Sequence, residues 1–183
     1  MELKGSRTEK NLMAAFAGES MARTKYDIYA SAAKKEGYEQ VAAFFAETAL
    51  NEKEHAKMWL RALGGFAEGR TPGDTIKNLA AAAEGEHDEW VNMYREFAEV
   101  AREEGFLALA ARFEGVASVE KVHEERYNKL CQNLQEGKAF VQEEVTTWHC
   151  RNCGYIHEAA EAPEVCPVCA HPQSYFFIKA QNY

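Results

Sequence analysis

Apolar and charged residues are interspersed along roughly the first 140 positions, which are rich in Ala, Glu, Lys and Leu. This composition is typical of α-helices. Ser6 and Glu9 form a capping-box pattern at the start of the region. Glycines predict where the helices end, because glycine readily adopts the left-handed conformation that terminates a helix; they are Gly37, Gly64, Gly65, Gly105 and Gly137.

The four predicted helices are each about 25 to 31 residues long, which corresponds to roughly 40–45 Å. Long helices joined by short connections predict an antiparallel four-helix bundle. We expect its core to contain the phenylalanines at positions 44, 45, 97 and 113. The helical pattern is lost after about residue 137, where residues 138–147 read as a strand-like linker and a segment rich in Gly, Pro and Cys follows. We therefore predict a helical domain over residues 1–145 and a small domain over residues 146–183.

The helical region repeats itself. Residues 33–38 resemble residues 101–106 at an offset of 68 residues, and the same offset relates Glu52 to Glu120 and His55 to His123. Near the start of each half the offset is 67, which relates Glu19 to Glu86. The bundle is therefore predicted to consist of two pseudo-symmetric helical hairpins, and any ligands that one hairpin offers are offered again by the other.

Two Glu-x-x-His segments, at residues 52–55 and 120–123, carry the first candidate site. Residues three apart lie on one face of a helix, so each Glu and His can converge on one metal ion. A single such pair is typical of an ordinary solvated helix face. Two pairs at matched positions of a repeat, with Glu19 and Glu86 each one helix earlier, match instead the ligand pattern of ferritin-like di-metal carboxylate proteins.

A fifth carboxylate, Glu89, breaks the symmetry, because its counterpart is Ala22. Five carboxylates and two ferrous ions sum to −1, and an oxo bridge returns the diferric form to the same total. A constant net charge avoids a large electrostatic penalty in a partly buried site. We interpret Glu89 as a ligand rather than an exposed helix residue.

Four residues near these candidates have less specific interpretations. Tyr26 and Tyr94 follow Glu19 and Glu86 by seven and eight residues. Each tyrosine is either a hydrogen-bond donor to a ligating carboxylate or a packing residue. His87 is expected to face away from the site, and Cys131 is interpreted as a buried thiol.

Two Cys-x-x-Cys pairs, Cys150/Cys153 and Cys166/Cys169, form the second candidate site. Such pairs bind a metal ion through four thiolates, and a domain of under 40 residues rarely folds without one. Zinc ribbons share this spacing. The sequences Cys-Gly-Tyr and Cys-Pro-x-Cys favour iron, as does the adjacent candidate di-iron bundle, which needs electrons.

The net charge of the chain limits the classes of partner that it can bind. Asp and Glu number 29 against 21 Lys and Arg, a net charge of −8, which argues against nucleic-acid binding. No run of about 18 apolar residues is present to span a membrane. The N-terminal residues lack the apolar stretch of a signal peptide. We expect a cytoplasmic protein.

The chain resembles rubrerythrins over essentially its whole length. The resemblance is carried by residues 4–11 and 17–20, the two Glu-x-x-His segments, Glu86-x-x-Glu89 and residues 150–155. It implies a mainly α protein, a ferritin-like bundle followed by a rubredoxin-like β/loop domain. Its implied di-iron ligands are Glu19, Glu52, His55, Glu86, Glu89, Glu120 and His123, with Glu52 and Glu120 bridging, and its single rubredoxin-type iron lies on the four cysteines.

The resemblance further implies reduction of hydrogen peroxide to water, in defence against oxidative stress. Electrons are expected to come from NADH through a reductase, or from rubredoxin, and to pass through the Fe(Cys)4 centre of a neighbouring chain in a head-to-tail homodimer. Glu52, Glu120, Glu89 and His55 are the expected catalytic residues; one iron is expected to take Glu89 when ferric and His55 when ferrous. Ala170 departs from the glycine that free rubredoxins usually carry after the second cysteine pair.

Two other functions use the same features. A ferroxidase or iron-storage protein shares the bundle, although storage has no use for an appended electron carrier. A zinc-ribbon interaction protein would use the bundle as a scaffold, and its purified form would lack the red colour of iron bound by thiolates.

Overall fold

A computed structural model describes residues 2–71 and 73–180 of the chain. It confirms the predicted fold class: four helices are followed by a small three-stranded sheet that carries the four cysteines. The chain forms two compact units, one up to residue 72 and one from residue 73. Among the described residues, no helix is both long and apolar enough to cross a membrane.

The first unit is a helical hairpin of α1 (Arg7–Lys35) and α2 (Glu39–Ala62). Ser6 caps α1 as predicted, with its hydroxyl oxygen accepting from the backbone N–H of Glu9 at 3.0 Å. The Glu9 carboxylate accepts in turn from the N–H of Gly5, rather than from that of Ser6 as in a regular capping box. Gly37 ends α1 with a φ of 86°, in the role that the sequence assigned to it.

The second unit begins with α3 (Asp74–Asp88), which continues through a π-helix (Glu89–Met93) into α4 (Tyr94–Glu103). Gly105 then repeats Gly37, with the same φ of 86°. Helix α5 (Leu107–Gln135) runs back and packs against α3, the π-helix and α4. These elements form the second predicted hairpin.

The π-helix accounts for the change of offset within the repeat. Glu19 and Glu86 are 67 residues apart, whereas Tyr26 and Tyr94 are 68 apart, so the second hairpin has one extra residue between these positions. A π-helical turn accommodates one more residue than an α-helical turn and lets the helix resume its register. The extra residue therefore lies in the π-helix, which begins at the unmatched Glu89.

The small sheet has the strand order β2-β1-β3 and is antiparallel throughout. Its strands are β1 (Val141–Cys150), β2 (Ile156–Glu161) and β3 (Phe176–Ile178). Trp148 is 1% exposed at its centre and donates its indole N–H to the Ala159 carbonyl at 3.1 Å. Much of the segment predicted as a linker, residues 138–147, is thus part of β1, and the boundary at residues 145/146 remains a prediction.

The buried residues of the two hairpins are mostly alanines, among them Ala49, Ala98 and Ala110. Alanine lets two helices of one hairpin approach closely, and the large apolar side chains lie elsewhere on the helix surface. The prediction that Phe44 and Phe97 are core residues is therefore wrong for the single chain, because they are 60% and 43% exposed. Phe45 and Phe113 are only partly buried.

Ala170 has a φ of 57° and is the only described residue other than glycine with a positive φ. It follows the second cysteine pair as Gly154, with a φ of 81°, follows the first. A side chain in the left-handed region costs about 1–2 kcal/mol, because Cβ crowds the following carbonyl oxygen. The departure from glycine that the sequence analysis found at this position therefore places an alanine in a strained backbone conformation.

We predict that Ala170→Gly stabilises the small domain by about 1 kcal/mol, since glycine removes this strain at some cost in unfolded-state entropy. Amide hydrogen exchange of β1 in the metal-loaded protein measures the effect locally. Gly154→Ala is the matched control and should destabilise the same strand. Equal exchange rates in the wild type and Ala170→Gly would contradict the prediction.

Candidate metal centres

The first hairpin brings Glu19, Glu52 and His55 together. Glu19 lies on α1, and Glu52 and His55 lie one turn apart on α2. His55 Nδ1 is 2.9 Å from Glu52 Oε2 and 3.9 Å from Glu19 Oε1. One donor atom from each residue lies within 4.8 Å of the others, so a single cation can contact all three.

The second hairpin repeats this arrangement with Glu86, Glu120 and His123. His123 Nδ1 is 2.7 Å from Glu120 Oε2 and 3.5 Å from Glu86 Oε2, and the three donor atoms again lie within 4.8 Å. In each triad the carboxylate of the Glu-x-x-His pair is the less exposed one, at 17% for Glu52 and 14% for Glu120. The repeat found in the sequence is therefore a repeat of side-chain geometry.

Glu89 lies beside the second triad on the π-helix. Burial raises the pKa of its carboxyl above the usual value, and the negative charges of Glu120, Glu86 and Asp88 raise it further. Tyr94 shares this environment, since burial raises its pKa and the charges of Glu89, Glu120 and Glu86 add to the effect. A cation bound among these carboxylates would relieve their repulsion.

The two tyrosines belong to matched aromatic groups. Tyr26 and Phe45 have ring centroids 6.1 Å apart and an interplanar angle of 32°; Tyr94 and Phe113 repeat this at 6.1 Å and 31°. The tyrosines therefore do pack against aromatic rings. The alternative, hydroxyl donation to a ligating carboxylate, stays a prediction, and the carboxylate charges felt by Tyr94 favour it in the second hairpin.

The four cysteines converge in the small domain, where Cys150 and Cys166 are fully buried. Cys150 Sγ is 3.7 Å from Cys169 Sγ, and Cys153 Sγ is 3.6 Å from Cys166 Sγ. A tetrahedral ion with metal–sulfur bonds of about 2.3 Å requires sulfurs about 3.8 Å apart. The four sulfur atoms thus have the spacing of a tetrathiolate metal site.

The thiols of the four cysteines lie close together, and the pKa values of Cys153 and Cys169 are shifted in opposite directions. The backbone N–H of His171 stabilises the thiolate of Cys169 and lowers its pKa to about 6. At Cys153 the backbone N–H of Tyr155 acts in the same direction, but burial and the neighbouring thiols outweigh it and raise the pKa to about 12. Four adjacent thiolates therefore need a cation to coexist, which is the condition that a bound metal provides.

A hydrogen-bonded group of four residues that the sequence analysis did not predict lies beside the second triad. The Glu124 carboxylate accepts the indole N–H of Trp90 at 2.5 Å and an Nδ2–H of Asn128 at 3.4 Å. His87, predicted to face away from the metal site, is not part of the triad, and its Nδ1 lies 3.1 Å from Glu124 Oε1. Cys131 is buried as predicted, with Sγ 3.7 Å from the Ile76 carbonyl oxygen.

These donor sets define the class of protein. Carboxylates and imidazoles repeated in two helical hairpins fit a di-iron site, and a separate group of four thiolates fits a single rubredoxin-type iron. The molecule is a helical non-haem metalloprotein with an appended tetrathiolate domain.

Comparison with known sequences gives the family. The family described as Rubrerythrin matches residues 10–131, and the family described as Rubrerythrin, rubredoxin-like domain matches residues 148–177. The chain belongs to the rubrerythrin family, whose members are generally oxidoreductases.

Similar proteins match over nearly full length. Rubrerythrin-1 of Clostridium acetobutylicum is 50% identical over 192 residues, covering 99% of this chain and 98% of its own. Rubrerythrin of Nitratidesulfovibrio vulgaris is 47% identical over 189 residues, with the same coverage. A solved structure of fully reduced, all-ferrous nigerythrin is 32% identical and covers 95% of this chain and 87% of its own, with a TM-score of 0.34.

Because the pKa of Glu89 is raised in the folded state, we predict that this residue lowers the free energy of unfolding of the metal-free protein as pH rises. A carboxyl that binds its proton more tightly in the folded state destabilises the fold as pH rises from its unfolded pKa through its folded pKa. Glu89→Gln removes this cost. We therefore expect metal-free Glu89→Gln to melt at a higher temperature than metal-free wild type at pH 7, and at nearly the same temperature at about pH 3, which is below the pKa of Glu89 in both the unfolded and the folded state.

Thermal unfolding followed by far-ultraviolet circular dichroism measures the difference. The exposed Glu125 on α5 provides the control variant Glu125→Gln, which should show no such pH-dependent gain. A Glu89→Gln gain that is equal at both pH values would contradict the electrostatic origin.

Proposed function

We propose that this protein is a peroxidase that reduces hydrogen peroxide to water at a two-iron site. The balanced reaction takes one hydrogen peroxide, two protons and two electrons to two water molecules. The observation that carries the proposal is the repetition of a Glu, Glu, His triad in both hairpins, with a fifth carboxylate beside one of them. A pair of ferrous ions can supply the two electrons in one encounter with peroxide, which avoids one-electron products.

In this proposal the iron ligands are the two triads together with Glu89. Glu52 and Glu120, the least exposed carboxylate of each triad, are proposed to bridge the irons, with Glu19 and Glu86 as terminal ligands. His55 and His123 would each hold one iron, and in both residues Nδ1 is the atom that faces the carboxylates of the same triad. Glu89 and His55 are proposed to alternate as ligands between the oxidised and reduced states, and no counterpart of Glu89 exists in the first hairpin.

The residues around the proposed irons also hold protons. Glu89 is the carboxyl whose pKa is raised by burial and by its carboxylate neighbours, so it takes up a proton more readily than an isolated glutamate. Tyr94, in the same negative field, keeps its hydroxyl proton and can donate it in a hydrogen bond. These groups would place protons beside the oxygen atoms that become water.

The tetrathiolate site is proposed to bind one iron and to relay electrons to the two-iron site. Iron bound by four thiolates changes oxidation state by one electron with little change in geometry, as electron transfer requires. We propose NADH as the electron source, through a reductase or a separate rubredoxin, and a head-to-tail homodimer in which the relay iron of one chain serves the bundle of its partner. The length of α5 favours this arrangement: its last residue lies 12 residues beyond His123, which is about 18 Å along the helix. The small domain therefore follows the end of α5 that is remote from the ligands of the same chain.

Iron storage is the second candidate function, because ferritin-like proteins share the bundle and the carboxylate-rich site. The four-cysteine domain favours the peroxidase, since a storage protein that oxidises iron with dissolved oxidants needs no electron carrier. The two functions differ in product: a storage protein retains a growing number of ferric ions per chain, whereas a peroxidase returns to the ferrous state.

We predict that Glu120→Ala abolishes peroxide reduction. Loss of a proposed bridging carboxylate should lower the iron content of the bundle and reduce peroxide consumption by about 100-fold or more. Glu125→Ala, on the exposed side of the same helix, is the control and should retain both iron and activity. Two bundle irons and a normal rate in Glu120→Ala would exclude the proposed ligand set.

We predict that Cys169→Ser separates the chemical step from electron delivery. Serine is a poor ligand in a tetrathiolate site, so the relay iron should be lost. The chemically reduced variant should still consume one equivalent of hydrogen peroxide, while steady turnover with NADH and a rubredoxin reductase fails. Cys131→Ala, which removes the thiol outside the four-cysteine site, should retain both activities. Persistent steady turnover without the relay iron would show that electrons enter the bundle directly.

A further inference from the structure

The hydrogen-bonded group beside the second triad is offset in sequence from the proposed iron ligands by one residue. His87, Trp90, Lys121 and Glu124 each lie one position after Glu86, Glu89, Glu120 and His123, respectively. Adjacent residues of a helix are about 100° apart around its axis. The group therefore lies on the next face of the same helical turns that carry the ligands. We call Glu124 and the three residues that contact its carboxylate, namely Trp90, His87 and Asn128, the Glu124 cluster.

The cluster joins two elements across the hairpin. Trp90 belongs to the π-helix and donates its indole N–H to Glu124 Oε2 at 2.5 Å, while His87 Nδ1 at the end of α3 is 3.1 Å from Glu124 Oε1. Both carboxylate oxygens of one α5 residue thus hold residues on either side of Glu89. The rings of His87 and Trp90 also meet edge to face, with centroids 5.6 Å apart, and Lys121 Nζ lies 5.6 Å from the Trp90 ring centroid.

The cluster is absent from the first hairpin. Under the repeat, the counterpart of Glu124 is Ala56, that of His87 is Ser20, and that of Trp90 is Arg23. None of these can form an equivalent carboxylate–indole bond. The triads recur in both hairpins, so a triad alone does not require the cluster. The second hairpin also has a π-helix and Glu89, and the first hairpin has neither.

A π-helical turn is rare and interrupts the regular hydrogen-bond pattern of the α-helix around it, so additional contacts stabilise it. The Glu124 carboxylate provides such contacts at Trp90, the second residue of the π-helix, and at His87, in the turn before it. We propose that the Glu124 cluster is a positioning device that holds the π-helix against α5 and so presents Glu89 to the metal site. The proposal builds on the proposed two-iron site, and Trp90 and Glu124 act through Glu89 rather than on peroxide.

The first test uses the full-length protein without metal. Glu124→Gln replaces a charged acceptor with a neutral one of the same shape, and Trp90→Phe removes the donor. Each should accelerate amide hydrogen exchange in residues 89–94 by about tenfold, the effect expected for loss of a hydrogen bond to a charged group. Glu125→Gln is the matched control and should leave these rates unchanged. Unchanged rates in both cluster variants would overturn the proposal.

The second test uses the iron-loaded, oxidised protein and its Mössbauer spectrum, which reports the ligand environment of each iron. Glu124→Gln should shift the signal of one iron toward that of Glu89→Ala, and should add nothing further in a Glu89→Ala background. If Glu124→Gln gives the spectrum of the control, or has the same effect with and without Glu89, the cluster supports the fold alone and the proposal is wrong. If the wild-type protein binds two irons but does not reduce peroxide, the proposed function is wrong. The Mössbauer comparison would still test the positioning of Glu89, because it does not depend on peroxide reduction.

Discussion

Repulsion among closely spaced carboxylates is the interaction on which the bundle's chemistry depends. Three glutamates, Glu86, Glu89 and Glu120, lie near one another in the second hairpin. Burial raises the pKa of Glu89, and the charges of Glu120 and Glu86 raise it further. Such a group weakens a fold unless a cation neutralises it. Surface glutamates avoid this cost by facing solvent. Carboxylates that are instead drawn together on facing helices, with a histidine nitrogen among them, therefore indicate a metal site more strongly than their identities alone do. The thiols of the small domain are under the same constraint. The backbone N–H of Tyr155 lowers the pKa of Cys153, but burial and the three neighbouring thiols together raise it above its usual value.

Much of this architecture could be predicted from the sequence, because the repeat lets an assignment made in one hairpin be checked at the matching position of the other. Helix ends at Gly37 and Gly105 have the same φ, and the two triads have nearly the same internal distances. Spacing on a helix fixes which side chains share a face, so the triads follow from residue numbers. The cysteine site follows in the same way from two Cys-x-x-Cys pairs, whose spacing sets the sulfur geometry.

Other features depended on contacts that spacing does not determine. The Phe44 and Phe97 side chains were expected in a core, but the alanines fill the space between the helices of each hairpin. The strand β1 begins at Val141, because residues predicted as a linker pair with β2. The Glu124 cluster joins residues 34 and 37 positions apart that belong to no motif. The only signal of the cluster in the sequence is that its members have no equivalent residues in the first half of the repeat. This signal can be interpreted only when Glu89 is also seen to lack an equivalent residue.

The asymmetry of the two hairpins bears directly on how a two-metal site can work. A fully symmetric pair of ligand sets would give its two metals the same coordination and the same preference for each oxidation state. One added residue changes this, because it produces a π-helix without disturbing the helix on either side and alters which side chains face the site. In this chain the change coincides with Glu89, a hard oxygen donor that suits the more highly charged metal. The same insertion leaves a local weakness in the helix, and the nearest compensation for it is the Trp90–Glu124 hydrogen bond. Asymmetry at the metal site and reinforcement on the neighbouring helix face thus have a common origin in a single extra residue.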